Sequence, residues 1–205
     1  MTSDPEITRD VAEVFQRLTS GSGLRDYNRL LVAPEHLRDG IADRIRSEAH
    51  PGGRIVLKIN SLADPAIIQE LYAASQAGCE IDLIVRGICC LRPGVAGLSD
   101  RIRVHSILGR FLEHSRIFRF GSPTGDADYW LGSADLMPRN LDMRVETLVP
   151  IKDASLRRRI DRILASYLQD DIARWELAPN GNWKQVGGHR HVQNLLIEAL
   201  DRPKH

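Results

Sequence analysis

The stretch RFLEHSRIFRF, residues 110 to 120, sets a histidine and an arginine two positions apart, His114 and Arg116, at the mouth of what otherwise reads as a buried strand. Alternation along a strand puts them on one face. Polar residues recur at other strand ends: Arg86 closes EIDLIVR before a glycine, and Lys58 and Asn60 close RIVLKIN. Ser133 and Asp135 share a face in LGSAD, and Arg144 and Glu146 share one in RVET. In a sheet buried on both faces such groups are costly unless a ligand satisfies them, and ligands of open α/β sheets sit at the carboxyl ends of strands. Taken singly, each has an ordinary structural role as a salt-bridged surface arginine or a hydrogen-bonded histidine, and Arg103 and His105 belong to that class. Converging from five neighbouring elements, they describe an anion site. Guanidinium forks match phosphate oxygens bidentately and imidazole exchanges a proton near neutral pH, so phosphate is the anion that suits them.

The elements that must position these residues follow from periodicity. PEITRDVAEVFQRLT spaces Ile7, Val11, Val14, Phe15 and Leu18 as a helix, ended by SGSG at 20 to 23. NRLLVA reads as a short strand and the next 17 residues, from Pro34, as a helix stopped by Gly52 and Gly53. RIVLKIN and EIDLIVRG are strands on either side of a helix capped by Asp64, with Pro65 in its first turn and Gly78 past its end. That βαβ unit makes the sheet at least partly parallel, with helices on its faces. Further strands are expected at 101–108, 115–121, 128–135 and 144–151, then a long helix capped by Asp153. Its stripe runs through Leu156, Ile160, Ile163, Leu164, Tyr167 and Leu168. Beyond residue 173 the reading is a short irregular stretch and a final helix near 190–200.

Composition sets the outer bounds. A chain of 205 residues, 42% hydrophobic and 27% charged, is long enough for one full-sized domain with a real core. A net charge of +1 gives no general pull toward nucleic acid or anionic membrane, so anion binding has to come from local clustering. Arginine supplies 24 of the 28 basic residues, which codon bias explains as readily as function. No apolar run reaches the ~18 residues needed to span a bilayer. The N-terminus also lacks a basic region followed by an apolar one, so a cytoplasmic location is expected. Cys79, Cys89 and Cys90 fit neither a disulfide framework nor CxxC spacing and are expected to be reduced core residues. His189 and His191 precede a helical run, an unsuitable setting for a shared metal, and no metal site is expected.

HSR followed by GSAD, RN and RVE resembles one half of the phospholipase D fold, whose motif is HxK, an acidic residue, GSxN and a further glutamate. Arg116 stands in place of the lysine and Asp135 in place of the asparagine, departures that argue against an ordinary phosphodiesterase. The strings LIVRGICCLRPGVAGLSDRIRVHSILGRFLEHSRIF, YWLGSADLMPRNLDMRVETLVPI and LYAASQAG are closer still to the C-terminal catalytic domain of the long-chain polyphosphate kinase family. The resemblance runs from about residue 5 to the end. It implies an α/β fold, a mixed sheet covered by helices on both faces, phospholipase D-like. Residues 1–23 would correspond to a helix and linker ending the preceding domain, and 24–205 to the catalytic domain with its closing helices.

The family transfers the terminal phosphate of ATP reversibly to polyphosphate through a phosphohistidine carried on a separate phospholipase D-like domain, which has no counterpart here. By motif position, Arg86 and His114 resemble the arginine and histidine that contact the nucleotide phosphates, with His114 an acid-type residue before a nucleophile. Lys58, Asn60, Arg116, Ser133, Asp135, Arg139, Asn140 and Arg144 are candidates for the phosphate path, although Arg139, Asn140 and Arg144 could equally brace their loop. The implied partners are ATP or ADP, inorganic polyphosphate and the phosphohistidine domain, in an enzyme that is commonly oligomeric. Nucleic acid is not expected as a partner. Magnesium is expected for the full enzyme, with no ligand identifiable in this chain. On this reading the chain alone is inactive. Two others compete with it: a module that holds polyphosphate or nucleotide without chemistry, and a homodimeric phospholipase D-like hydrolase in which two copies of His114 meet across a two-fold axis.

Overall fold

Asp4 caps the first helix, α1 (Pro5–Ser20), accepting hydrogen bonds from the Glu6 and Ile7 N–H groups, and Gly21 ends it in the left-handed region at φ 64°. The computed structural model describes residues 2–21 and 26–201, so Ser22 and Gly23 of the expected helix stop, and the boundary expected between 23 and 24, lie outside the described residues. The chain continues through β1 (Leu31–Ala33), α2 (Leu37–Ser47), β2 (Arg54–Ile59), α3 (Pro65–Gln76), β3 (Glu80–Val85) and β4 (Ile102–Ser106). Next come β5 (Arg116–Phe120), β6 (Asp128–Gly132), α4 (Pro138–Met143), β7 (Glu146–Pro150) and α5 (Ala154–Tyr167). A hairpin, β8 (Arg174–Leu177) and β9 (Trp183–Val186), and α6 (Val192–Asp201) close it.

The described strands form one nine-stranded sheet in the order β1-β7-β6-β5-β2-β3-β4-β8-β9. The β2–β3 and β3–β4 pairs are parallel and the other pairs antiparallel, so the sheet is mixed, as expected. Alternation along each strand divides the core. Ile55, Leu57, Leu83 and Phe118 meet Ile41, Ile45, Ile67 and Leu71 of α2 and α3 on one face. Val56, Ile84, Ile117 and Tyr129 meet Ile160, Leu164 and Val192 of α5 and α6 on the other.

This topology gathers strand ends. Parallel β2 and β3 finish together just before Asn60 and Arg86, and antiparallel β5 starts beside them, pairing Ile117 with Lys58. β6 then ends where β5 begins, with Gly132 opposite Arg116. Past the strands the loops remain joined, since Leu62 bridges both Cys89 and Leu136. Thus the polar residues picked out in the sequence reach one edge of the sheet because of strand direction, whatever their own chemistry.

Several expectations need correction. The strands are shorter than expected, which leaves His114, Ser133, Asp135 and Arg144 outside them. The chain leaves the ladder after Gly132 because the Asp135 carboxylate accepts the Asn60 and Ser61 N–H groups, and Pro138 then begins α4, a helix the periodicity did not show. The tail expected to be irregular holds the hairpin instead, turned at Ala178 to Asn182 with Gly181 at φ 86°. Cys79 is buried, but Cys90 is exposed and Cys89 only half-buried, because the segment after β3 runs along the surface. His105 is buried, beside the Asp82 that Arg103 also binds, so it is an interior residue and not a surface one.

A buried carboxylate helps tie α1 to the sheet margin. The fully buried Asp10 carboxylate accepts the N–H groups of Asn28, Arg29 and Leu30 at 3.1, 2.6 and 2.9 Å, while Ile7 and Val14 pack against Tyr27, Leu30 and Val32. Asp10→Ala leaves these donors without their acceptor and is expected to lower stability by about 2 kcal/mol in urea denaturation; an unchanged midpoint would contradict this anchoring.

Candidate phosphate-binding site

Asp135 is the centre of the site. Its side chain is 11% exposed. Oδ1 accepts the Asn60 N–H at 2.7 Å and the Ser61 N–H at 3.3 Å, and Oδ2 accepts Arg116 Nη2 at 2.9 Å. Arg116 Nε lies 3.4 Å from Oδ1, which makes the guanidinium contact two-pronged. Burial alone would raise this carboxyl, yet the Arg116 guanidinium and the Asn60 N–H hold it below the usual carboxylate range.

The third guanidinium nitrogen of Arg116 points the other way. Its Nη1 lies 2.9 Å from His114 Nδ1 and 3.0 Å from the His114 carbonyl oxygen. Guanidinium only donates, so Nδ1, the nearer of the two ring nitrogens, is the acceptor here, with Nε2 3.5 Å from the same Nη1. The His114 side chain is exposed. Asn60 works on the other side. Its Nδ2 lies 3.4 Å from Asp135, and its Oδ1 accepts Arg86 Nε at 3.0 Å. The two terminal nitrogens of Arg86 have no hydrogen-bond partner among the described residues, and its side chain is half-buried.

Lys58 lies beneath, buried on the face that α5 and α6 cover. Its Nζ donates to Ser115 Oγ at 2.9 Å, sits 3.1 Å from Glu113 Oε2 and stacks 5.1 Å from the centre of the Tyr167 ring. Burial pushes this ammonium below its ordinary range, helped by the nearby charges of Arg116 and Arg86 and opposed by Glu113. Burial pushes Glu113 the other way, but hydrogen bonds from Tyr167 at 2.6 Å and Gln193 at 2.7 Å, with the Lys58 charge, keep it ionised and below its ordinary range. The Tyr167 hydroxyl is driven up by burial and by that carboxylate, so it remains a donor.

Lys58, Asn60, Arg86, His114, Arg116 and Asp135 therefore meet, as the sequence suggested. Among the described residues, the remaining candidates make no hydrogen bond or ion pair to this group. Ser133 is exposed and its Oγ accepts the Thr147 N–H at 3.2 Å, so it does not share a face with Asp135. Nor do Arg144 and Glu146 lie side by side on a strand: Arg144 is exposed ahead of β7 while Glu146 is buried at its start. Asn140 donates to Glu146 at 2.7 Å and Arg144 lies 3.7 Å from the same oxygen, a brace across the turn. Arg139 is exposed. Glu113, Tyr167 and Gln193 escaped the sequence reading. Glu113 adjoins His114, the one signal that pointed to it, whereas Tyr167 reads as part of an apolar stripe and Gln193 as a solvent residue of a helix.

A mixed sheet flanked by helices, with histidine, arginine and lysine gathered at one edge around buried carboxylates, defines a phospholipase D-like α/β domain. The fold matches the crystal structure of a phospholipase D family member, Nuc, from Salmonella typhimurium, with a TM-score of 0.52 at 14% identity over 78% of this chain and 97% of that one. The likeness is much closer to the crystal structure of polyphosphate kinase from Porphyromonas gingivalis, with a TM-score of 0.87 and 37% identity over 98% of this chain and 32% of that one. In sequence it is 47% identical to a polyphosphate kinase of Streptomyces coelicolor over 98% of this chain, and 49% identical to polyphosphate kinase 1 of Chlorobaculum tepidum over 90%. The family described as polyphosphate kinase C-terminal domain 2 matches residues 30–195. The chain belongs to that family, and spans 28% and 27% of the lengths of those two relatives.

The Asp135 pair carries a pH signature. A carboxyl held below its unfolded value of about 4 contributes stability that is complete above that value and is lost as pH falls through the folded one. Asp135→Asn is therefore expected to unfold about 3 kcal/mol more easily at pH 7, with the gap to wild type closing as pH drops below about 4. Urea melts across that range check this, and a gap independent of pH would contradict it.

Proposed function

We propose that this chain supplies the phosphate grip of a polyphosphate kinase, acting in reversible transfer of the terminal phosphate of ATP to polyphosphate. The observation that carries the reading is the division of labour among the cations. Arg116 binds the buried carboxylate of Asp135 and Lys58 the half-buried one of Glu113, whereas among the described residues Arg86 is anchored only through Nε by a neutral amide. Its remaining fork is free to take two phosphate oxygens, and His114 Nε2–H is free to donate to a third.

The same geometry favours a donor's role for His114. Attack by Nε2 would require its proton to move to Nδ1, the atom that Arg116 Nη1 already addresses at 2.9 Å. His114 therefore stabilises charge that builds on the phosphate oxygens, and the atom receiving the phosphoryl group belongs to a part of the enzyme outside this chain. Magnesium fits this half poorly. Among the described residues no group of three or more His, Cys, Asp or Glu could hold a metal ion, and both carboxylates at the site are engaged by cations and hydrogen bonds. In our reading this domain contributes no metal ligand. Among the described residues no helix is long and apolar enough to cross a membrane.

In a polyphosphate kinase carrying this domain, Arg86→Ala is expected to slow phosphoryl transfer on the order of 10³-fold or more. His114→Gln, which keeps a donor near the position of Nε2, should retain more activity than His114→Ala. An Arg86→Ala rate within tenfold of wild type would sink the assignment. Release of nitrophenol from a model phosphodiester by this chain alone would favour a hydrolase instead.

A further inference from the structure

The segment between β4 and β5 carries His114 without the packing that normally fixes a loop. Past the buried Ile107, Leu108, Phe111 and Leu112 are 62%, 52% and 69% exposed, so hydrophobic burial does not hold the stretch that leads to His114. Polar contacts from α5 and α6 hold it instead. Gln193, the second residue of α6 and only 8% exposed, accepts the Phe111 N–H on Oε1 at 2.9 Å. Its Nε2 donates to the Phe111 carbonyl and to Glu113 Oε1, both at 2.7 Å. Both ends of one amide thus grip the chain one and three residues before the histidine, while Tyr167 and Lys58 take the other Glu113 oxygen.

Gly109 adds a second, independent observation. A Cβ built there would stand 2.5 Å from Gln193 Oε1 and 2.8 Å from its Cδ, so the amide lies against bare backbone. Only glycine leaves it that space. A methyl group at 109 would push aside the end of the Gln193 side chain, whose atoms are the three nearest to it.

We propose that Gln193 is a positioning residue of the phosphate site: acting through Phe111 and Glu113, it sets His114 against Arg116, which makes the closing helix part of the phosphate grip. The proposal deepens the reading given under Proposed function and rests on His114 meeting phosphate. It requires that Gln193→Ala and Gly109→Ala, which break one contact from its two sides, have the same effect and that their effects do not add.

The test uses the full 205-residue chain titrated with tripolyphosphate, with the His114 ring resonances and Phe111 amide exchange followed by NMR. Each single variant is expected to bind about tenfold more weakly, to shift the His114 ring signals and to exchange the Phe111 amide faster. The double variant should be no weaker than the weaker single. Wild-type affinity in Gln193→Ala overturns the proposal whatever the exchange rate, and so does an additive loss in the double variant. If the wild-type chain does not bind tripolyphosphate, the phosphate reading itself falls. The clamp is then judged on the ring signals: movement in both variants supports it, and unmoved signals overturn it.

Discussion

One buried carboxylate organises the working edge of this sheet. Asp135 lies in the loop after β6, yet it holds the backbone of the loop after β2 through Asn60 and Ser61 and the first residue of β5 through Arg116. Asn60, turned by that contact, in turn holds Arg86 at the end of β3. A carboxylate taken out of water carries a desolvation cost of several kcal/mol, which strong and well-aligned donors must offset. Here the donors come from two separate chain segments, residues 60–61 and Arg116. The charge can be satisfied only when the strand ends stand in their working positions, so folding and preorganisation of the site are one event.

The second carboxylate does a parallel task on the face covered by α5 and α6. Glu113 neutralises Lys58, takes the Tyr167 hydroxyl and receives the Gln193 amide. Three cations close together would otherwise repel one another, and the lowered Lys58 already registers that field. Pairing two of them with carboxylates leaves a single uncompensated charge, on Arg86. That asymmetry gives an incoming phosphate one favoured seat, because both competing cations already have anions at hydrogen-bond distance.

Fold class was legible because its signals are local. The βαβ unit showed in capping residues and in the change from period 2 to period 3.6, and strand direction then brought Lys58, Asn60, Arg86, His114 and Arg116 to one edge. Strand ends were not legible, because they depend on contacts distant in sequence. The carboxylate of Asp135 draws the chain away from β6 by binding backbone 74 and 75 residues earlier, and no pattern within LGSAD records this. The alternation that placed Ser133 with Asp135 thus ran past the end of its strand. Tyr167 and Gln193 were hidden for a related reason. A helix pattern sorts residues into core and solvent, and gives no sign that a tyrosine in the apolar stripe ends on a glutamate or that a helix glutamine is buried against a loop. The β8–β9 hairpin was missed because RWEL and WKQV pair at the sheet margin, where mostly exposed or half-buried side chains blur the alternation.

The two departures from the phospholipase D motif make best sense together. A lysine with an asparagine partner presents one positive charge toward the site, whereas Arg116 with Asp135 presents none. An ammonium could not hold both oxygens of Asp135 and His114 at once, since it is a point charge on a flexible stem, while the planar guanidinium reaches the carboxylate along one edge and Nδ1 from its third nitrogen. Exchanging either residue alone would leave a buried charge unmatched or the histidine ring unbraced. As a pair, they turn the cation of the motif into a brace between a buried carboxylate and the histidine ring, and leave the uncompensated guanidinium to Arg86, just past β3.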